Sequence, residues 1–118
     1  MEKLTINLNG SRDEILKEVK EIKEHISSFN ITGNEMKKMC EMWTKTGKKS
    51  HWDSFTHYSM ADMKISACKT YLLTTEVLVR NNVKAKDLLE KSINCFKKYY
   101  DAFVNLYEMA EEEAEKEE

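Results

Sequence analysis

Two tryptophans and three lysines lie close together in the middle of the chain. Lys45, Lys48 and Lys49 stand between Trp43 and Trp52. Lysine ammonium groups attract phosphates and carboxylates, and indole rings stack on bases and on cations. The pattern therefore predicts a site for an anionic partner, which is a nucleotide, a nucleic-acid backbone or an acidic patch on a protein.

Two histidines extend this cluster into the segment where the next helix is predicted to begin. A basic loop at a helix N-terminus presents free backbone N–H groups to an anion. The alternative is that both tryptophans are partly buried anchors between two helices and that the lysines keep a loop hydrated. The full set of ligand-binding candidates is Trp43, Lys45, Lys48, Lys49, His51, Trp52 and His57.

The same segment contains a His–Asp pair that could serve metal binding or catalysis. Asp53 and His57 are four residues apart and share a helix face, but a metal site needs three or four ligands. Only Cys40 and Asp62 could complete the set, and nothing in the sequence brings them close. A His–Asp pair acting as a general base needs a nucleophile and a pocket. We therefore predict no metal, no cofactor, no catalytic residue and no enzymatic activity.

Two long amphipathic helices, folded back on each other at Asn81-Asn82, are expected to support this cluster. Each carries an apolar stripe that repeats every three or four residues, which is typical of near-parallel helix packing. The predicted fold is mainly α, a helical bundle built on a long antiparallel hairpin. The first stripe is Tyr58, Ala61, Ile65, Cys68, Leu72, Thr75 and Val79; the second is Leu89, Ile93, Phe96, Tyr100, Phe103, Tyr107 and Ala110.

One short N-terminal β-strand precedes the helices. Leu4, Ile6 and Leu8 alternate with polar residues until Asn9-Gly10 ends the pattern. A single strand leaves its backbone groups unpaired. We therefore predict a homodimer or higher homo-oligomer that pairs these strands, although the strand could also cross the helices or pair with a partner. Tyr99 and Leu106 lie beside the second stripe and are added as interface candidates.

The chain is predicted to be one helical domain, residues 1–118. Its segments are a strand at 1–9, helices at 11–29, 34–46, 52–80 and 83–113, and an acidic frayed tail at 113–118. Ser11 and Glu14 form a capping box for the first helix, and Thr32 and Glu35 form a second one. The first two helices together match the third in length, so they are expected to form the other layer of the bundle.

Composition narrows the classes of protein. The 118 residues contain no proline and three glycines, and the net charge is −2. Residues 1–107 carry 18 Lys/Arg and 14 Asp/Glu, whereas residues 108–118 carry one Lys and seven Glu. Three separated cysteines without a CxxC pair favour reduced thiols, and no apolar run matches a membrane span. These features predict a soluble, cytoplasmic protein without membrane contact.

The first 46 residues are similar to the ribbon-helix-helix DNA-binding family, in which strands from two subunits enter the major groove. The resemblance lies in the order of strand, helix, glycine-containing break and second helix. It implies that Lys3, Thr5 and Asn7 read bases and that Gly33 and Asn34 hold a phosphate. The 72 residues that follow have no counterpart in that family.

These patterns together favour a non-enzymatic binding protein. We expect a small regulator or inhibitor, of the kind found in phages and mobile elements, that docks on a protein partner or sequesters an anionic ligand. The alternative is a nucleic-acid-binding protein that uses the N-terminal strand or the Lys/Trp loop.

Overall fold

The computed structural model describes residues 10–27, 31–81 and 86–117, and these residues are almost entirely helical. The four helices are α1 (Arg12–Ser27), α2 (Ile31–Thr46), α3 (Lys49–Arg80) and α4 (Lys86–Glu115). The predicted strand with Leu4, Ile6 and Leu8 lies outside the described residues, so its pairing stays a prediction.

The long helices α3 and α4 pack along their whole length and run antiparallel. The Ser54 hydroxyl at the start of α3 donates to the carbonyl of Ala110 near the end of α4, at 2.7 Å. Toward the other end of α3, the Thr75 and Ser92 hydroxyls lie 2.7 Å apart. The connecting residues 82–85 are outside the described part of the chain, so the hairpin turn itself stays a prediction.

Helices α1 and α2 both pack on α3 and together form a third layer. The Arg12 side chain at the start of α1 donates to the carbonyls of Val79 and Arg80, at 3.1 and 2.9 Å. It thereby pairs two of the carbonyls that a helix C-terminus leaves without partners. The expectation that the first two helices cover the third agrees with this arrangement.

The core follows the predicted stripes. All seven positions of the α3 stripe are buried, and so are six of the seven on α4, with Leu89 half-buried. The aromatic rings of Phe96, Tyr100 and Phe103 are almost fully buried and in contact with one another. Helix α1 adds Ile15, Val19, Ile22 and Ile26 to the same cluster.

The start of α1 also follows its prediction, but the start of α2 does not. The backbone N–H of Glu14 donates to the Ser11 hydroxyl at 3.3 Å, as expected for an N-cap serine. Helix α2 begins at Ile31, three residues earlier than predicted, so Thr32 and Gly33 lie within its first turn. Thr32 is therefore a buried residue inside the first turn of α2 and does not occupy its N-cap position.

Two further helix ends differ from the prediction. Helix α3 begins at Lys49 instead of residue 52, and Lys48 occupies the N-cap position without a side-chain hydrogen bond. Helix α4 continues to Glu115 instead of fraying at residue 113. The apolar side of α4 extends that far, because Ala110 is buried and Ala114 packs on the core. Lys116 also pairs with Glu113 at 3.2 Å.

Candidate functional site

A two-residue turn joins α2 to α3 and brings their tryptophans together. Gly47 has φ 65°, in the left-handed region that glycine adopts without strain at a helix end. Its N–H donates to the carbonyl of Trp43 at 2.8 Å, which closes the last turn of α2. Lys48 occupies the N-cap position of α3, so only Gly47 and Lys48 separate the two helices. We call this tight turn the corner.

The Thr46 hydroxyl fastens this corner. It donates to the carbonyl of Met42 at 2.8 Å and accepts from the backbone N–H of Lys48 at 3.3 Å. Its oxygen also lies 2.7 Å from Nδ1 of His51. The imidazole tautomer with its hydrogen on Nδ1 satisfies all three contacts at once, because the single hydroxyl hydrogen is then free for Met42. The His51 ring, one of the predicted ligand candidates, is buried in this turn.

Three aromatic rings stand side by side on the outside of the corner. The rings of Trp43 and Trp52 lie 5.0 Å apart, and Trp52 stacks on Phe55 at 5.3 Å. Trp43 is 40% exposed and Trp52 is 44% exposed, although large aromatic side chains usually bury most of their surface. We call Trp43, Trp52 and Phe55, with the three lysines beside them, the Trp/Lys corner.

The lysines of the corner differ in how free their charges are. Lys49 pairs with Asp53 at 3.1 Å on the surface of α3. No ion pair joins Lys45 or Lys48 to any residue in the described ranges, and Lys45 is exposed while Lys48 is half-buried. Among the described residues, Lys45 and Lys48 therefore keep charges without an ion-pair partner, and Lys48 lies in the turn next to the aromatic rings.

His57 lies on a different side of α3. It follows Trp52 by five residues, which turns its side chain about 140° away from that of Trp52. It is half-buried, and its Nδ1 atom is buried without a hydrogen-bond partner. The corner therefore brings together the rings of Trp43, Trp52 and Phe55 but not His57. Lys48 and Lys49 lie where α3 begins, whereas Lys45 follows Trp43 by two residues and points about 160° away from it around α2.

The interface candidates on α4 are already used within the chain. Tyr99 stacks on Tyr71 with ring centroids 5.6 Å apart, and the Lys64 ammonium lies 5.4 Å from the Tyr99 ring centre. Leu106 packs half-buried against the core. Both side chains contribute to the packing between α3 and α4, which explains their apolar character without a second subunit.

An acidic cavity of about 250 Å³ lies at the end of the bundle where α2, α3 and α4 meet. Burial and the neighbouring Glu108 and Glu115 raise the pKa of Glu111, and burial together with Glu35 raises that of Tyr58. Among the described residues no three His, Cys, Asp or Glu side chains are arranged to hold a metal ion. The larger cavity of about 630 Å³ between α1 and α3 is lined by lysines and acidic residues together.

A second uncharged stripe runs along α3 and is absent from the features predicted from the sequence. It repeats every three or four residues and lies on the side opposite the buried stripe, where every position is exposed or half-exposed. We call it the outer seam, and the buried stripe the inner seam. The signal was present in the sequence, because the outer seam carries no charge in a chain with 34% charged residues. The outer seam consists of Trp52, Thr56, Ser59, Met63, Ser66, Thr70, Leu73 and Val77.

Comparison of the chain with protein-family models, with curated proteins and with solved structures finds no match. The resemblance to ribbon-helix-helix proteins therefore rests on the sequence pattern alone, and Lys3, Thr5 and Asn7 lie outside the described residues. In the part of the chain that is described, no helix has both the length and the apolar character needed to cross a membrane. The geometry of the Trp/Lys corner is therefore the basis for proposing a function.

Proposed function

We propose that this chain is a non-enzymatic binding protein, a small regulator or inhibitor that docks through the Trp/Lys corner on an acidic segment of another protein. The observation that carries the proposal is the contact between the exposed rings of Trp43 and Trp52. Lys48, which forms no ion pair with a described residue, lies in the turn between their helices. Exposed tryptophans are typical anchors of protein interfaces. Lysines at the rim attract carboxylates and orient the partner as it approaches.

The ring geometry favours a protein segment over a nucleic acid. A base that binds by stacking needs an open aromatic face. Trp52 stacks on Phe55 at 5.3 Å and contacts Trp43 at 5.0 Å, so part of the surface on which a base would stack is already covered. Aliphatic side chains pack against the remaining exposed surface without displacing either neighbour. Nucleic-acid binding through the same lysines is the second candidate, because phosphate contacts alone need no stacking.

The two tryptophans provide the measurement. They are the only tryptophans in the chain, so the intrinsic fluorescence reports on this corner alone. We would titrate the protein with a glutamate-rich peptide containing leucines, with a single-stranded oligonucleotide and with a nucleoside triphosphate. The proposal expects a saturable blue shift with the peptide. A saturable change with the oligonucleotide alone, lost steeply with added salt, would support the second candidate instead.

A charge-matched control separates the corner from general electrostatics. The variant Lys45→Glu/Lys48→Glu should abolish the peptide response, because both free charges are reversed. The variant Lys97→Glu/Lys98→Glu makes the same change in net charge on an exposed part of α4 and should leave the response intact. Equal loss in both variants would mean that net charge, not the corner, attracts the peptide.

Two further expectations accompany this function. The homo-oligomer built from Leu4, Ile6 and Leu8 stays a prediction, and Ile6→Lys should lower the native mass if those strands pair. Cys40, Cys68 and Cys95 are unpaired thiols, which suits the cytoplasm as the compartment.

A further inference from the structure

The outer seam has the repeat of a coiled-coil interface and is open to solvent, apart from its first residue Trp52, which Trp43 contacts. Its eight positions alternate steps of four and three residues, which is the a/d pattern of paired helices. Met63 is 68% exposed and Leu73 is 58% exposed. The outward sides of α1 and α4 instead carry many charged residues. A long exposed face that is apolar or uncharged marks an interaction surface.

Three of the four hydroxyl groups of the outer seam are already hydrogen-bonded within α3. Thr56 donates to the carbonyl of Trp52 at 3.0 Å, and Ser66 donates to that of Asp62 at 3.0 Å. Thr70 donates to the carbonyl of Ser66 at 3.3 Å. Such bonds to the preceding turn keep these donors satisfied when water is removed. A partner helix can therefore cover these three hydroxyl groups without leaving them unpaired.

Charges at the edge of the outer seam identify the partner. Asp62 and Lys69 lie seven residues apart on the same flank, and neither forms an ion pair with a described residue. We propose that the outer seam packs antiparallel against the outer seam of a second copy of this chain. Placing Met63 opposite Ser66 of the other copy brings Asp62 opposite its Lys69. The two-fold symmetry repeats this pair, so both charges of both copies are matched.

Other arrangements of two copies lose this match. A shift by one heptad in either direction sets Asp62 against Asp62 or Lys69 against Lys69, which is repulsive. In a parallel pair the flank with Asp62 and Lys69 faces the opposite flank, where Ala67 and Thr74 lie. The antiparallel arrangement centred between Met63 and Ser66 also uses the whole seam.

The sizes of the side chains fit the same arrangement. Each large side chain meets a smaller one: Met63 meets Ser66, Leu73 meets Thr56, and Trp52 meets Val77. The seam is about 38 Å long at 1.5 Å per residue. Because a single helix face of that length is at the low end for stable interfaces, we expect a dimer that dissociates on dilution. Its two Trp/Lys corners would lie at opposite ends.

Sedimentation velocity over a range of concentrations tests the assembly. The expected mass rises from 13.9 kDa toward twice that value as the concentration increases. Met63→Glu should hold the protein at the monomer mass without changing its helix content, because the side chain is mostly solvent-exposed in one copy. A wild-type chain that stays monomeric at millimolar concentration would overturn the proposal. So would a dimer that persists in Met63→Glu.

A charge exchange tests the partner and its direction. Asp62→Lys alone puts like charges opposite each other at both symmetric positions and should weaken the dimer about tenfold. Adding Lys69→Asp restores both pairs and should restore the dimer. A double variant no tighter than the single one would contradict the antiparallel arrangement. None of these variants alters Trp43, Trp52, Lys45 or Lys48. Because the dimer covers Trp52, the fluorescence titrations are made at concentrations where the chain is monomeric, so failure of one proposal is distinguishable from failure of the other.

Discussion

The two seams of α3 have the same spacing but opposite surroundings. The inner seam, from Tyr58 to Val79, is buried against the other three helices, whereas the outer seam, from Trp52 to Val77, is in contact with solvent. Side-chain size distinguishes them. The inner seam meets the aromatic rings of α4, for example Tyr58 against Tyr107 at 5.4 Å. The outer seam contains four small hydroxyl residues that bury little apolar surface each.

This difference shows what decides which side of a helix with two uncharged sides is buried in the core. Burial of apolar area stabilises at roughly 25 cal/mol per Å², so the side with more apolar and aromatic surface is buried first. Hydroxyl residues add less, and three of the four in the outer seam are hydrogen-bonded to the preceding turn of α3. The outer seam can therefore remain exposed in one copy and still be suitable for a partner.

The largest effect should come from two neighbouring leucines, one on each side of the helix. Leu72 is 4% exposed and Leu73 is 58% exposed. Leu72→Ala should lower the free energy of unfolding by about 2–5 kcal/mol, because it leaves a cavity in the core. Leu73→Ala should change it by less than about 0.5 kcal/mol at concentrations where the chain is monomeric. Urea unfolding of both variants checks this, since the change in helix propensity is the same. Equal losses would show that both seams are buried.

A smaller effect is expected from the hydroxyl groups of the two sides. Ser54 is fully buried and its hydrogen bond to the carbonyl of Ala110 joins α3 to α4. Ser54→Ala should cost about 1 kcal/mol. Ser66→Ala removes only a bond within the same exposed helix and should be neutral or slightly stabilising, because alanine favours helix. Thermal unfolding at low protein concentration compares the two, and a larger loss in Ser66→Ala would contradict the assignment of the sides.

The third predicted effect is a loss of folding stability that is absent at neutral pH and develops only in alkaline solution. Burial, with a smaller contribution from Asp101, raises the pKa of the Cys68 thiol on the inner seam to about 12 from its ordinary value of 9.0. The unfolded chain loses this proton first, so the contribution is intact below pH 9 and is lost as the pH rises toward 12. Buried Tyr58, Tyr100 and Tyr107 also have raised pKa values and act in the same direction.

The measurement is the urea midpoint as a function of pH. It should fall between pH 9 and 12 with a smaller slope in Cys68→Ala than in the wild type. Cys40 is exposed, so Cys40→Ala serves as the control and should keep the wild-type slope. Identical slopes in all three proteins would mean that Cys68 ionises as freely in the folded state as in the unfolded chain.

The corner shows which positions of the candidate site the sequence could place. An unusual density of tryptophans and lysines is visible in one dimension, and the five-residue spacing from Trp52 to His57 within one predicted helix already implies that they face different sides. The burial of His51 could not be derived in this way, since it depends on where α3 begins. A start at Lys49 rather than at residue 52 puts His51 in a buried first turn beside Thr46.

The sequence by itself determined the buried stripes of α3 and α4, the N-cap of α1 and the end of α2 before Gly47. Each depends on residues less than about two helical turns apart, where side-chain period and backbone preference act directly. Only the tertiary structure decided that Trp43 touches Trp52 and that Tyr99 stacks on Tyr71. Those outcomes depend on competition for apolar area between segments far apart in the chain. No local pattern contains the result of that competition, because the stability of each contact depends on what all other helices bury.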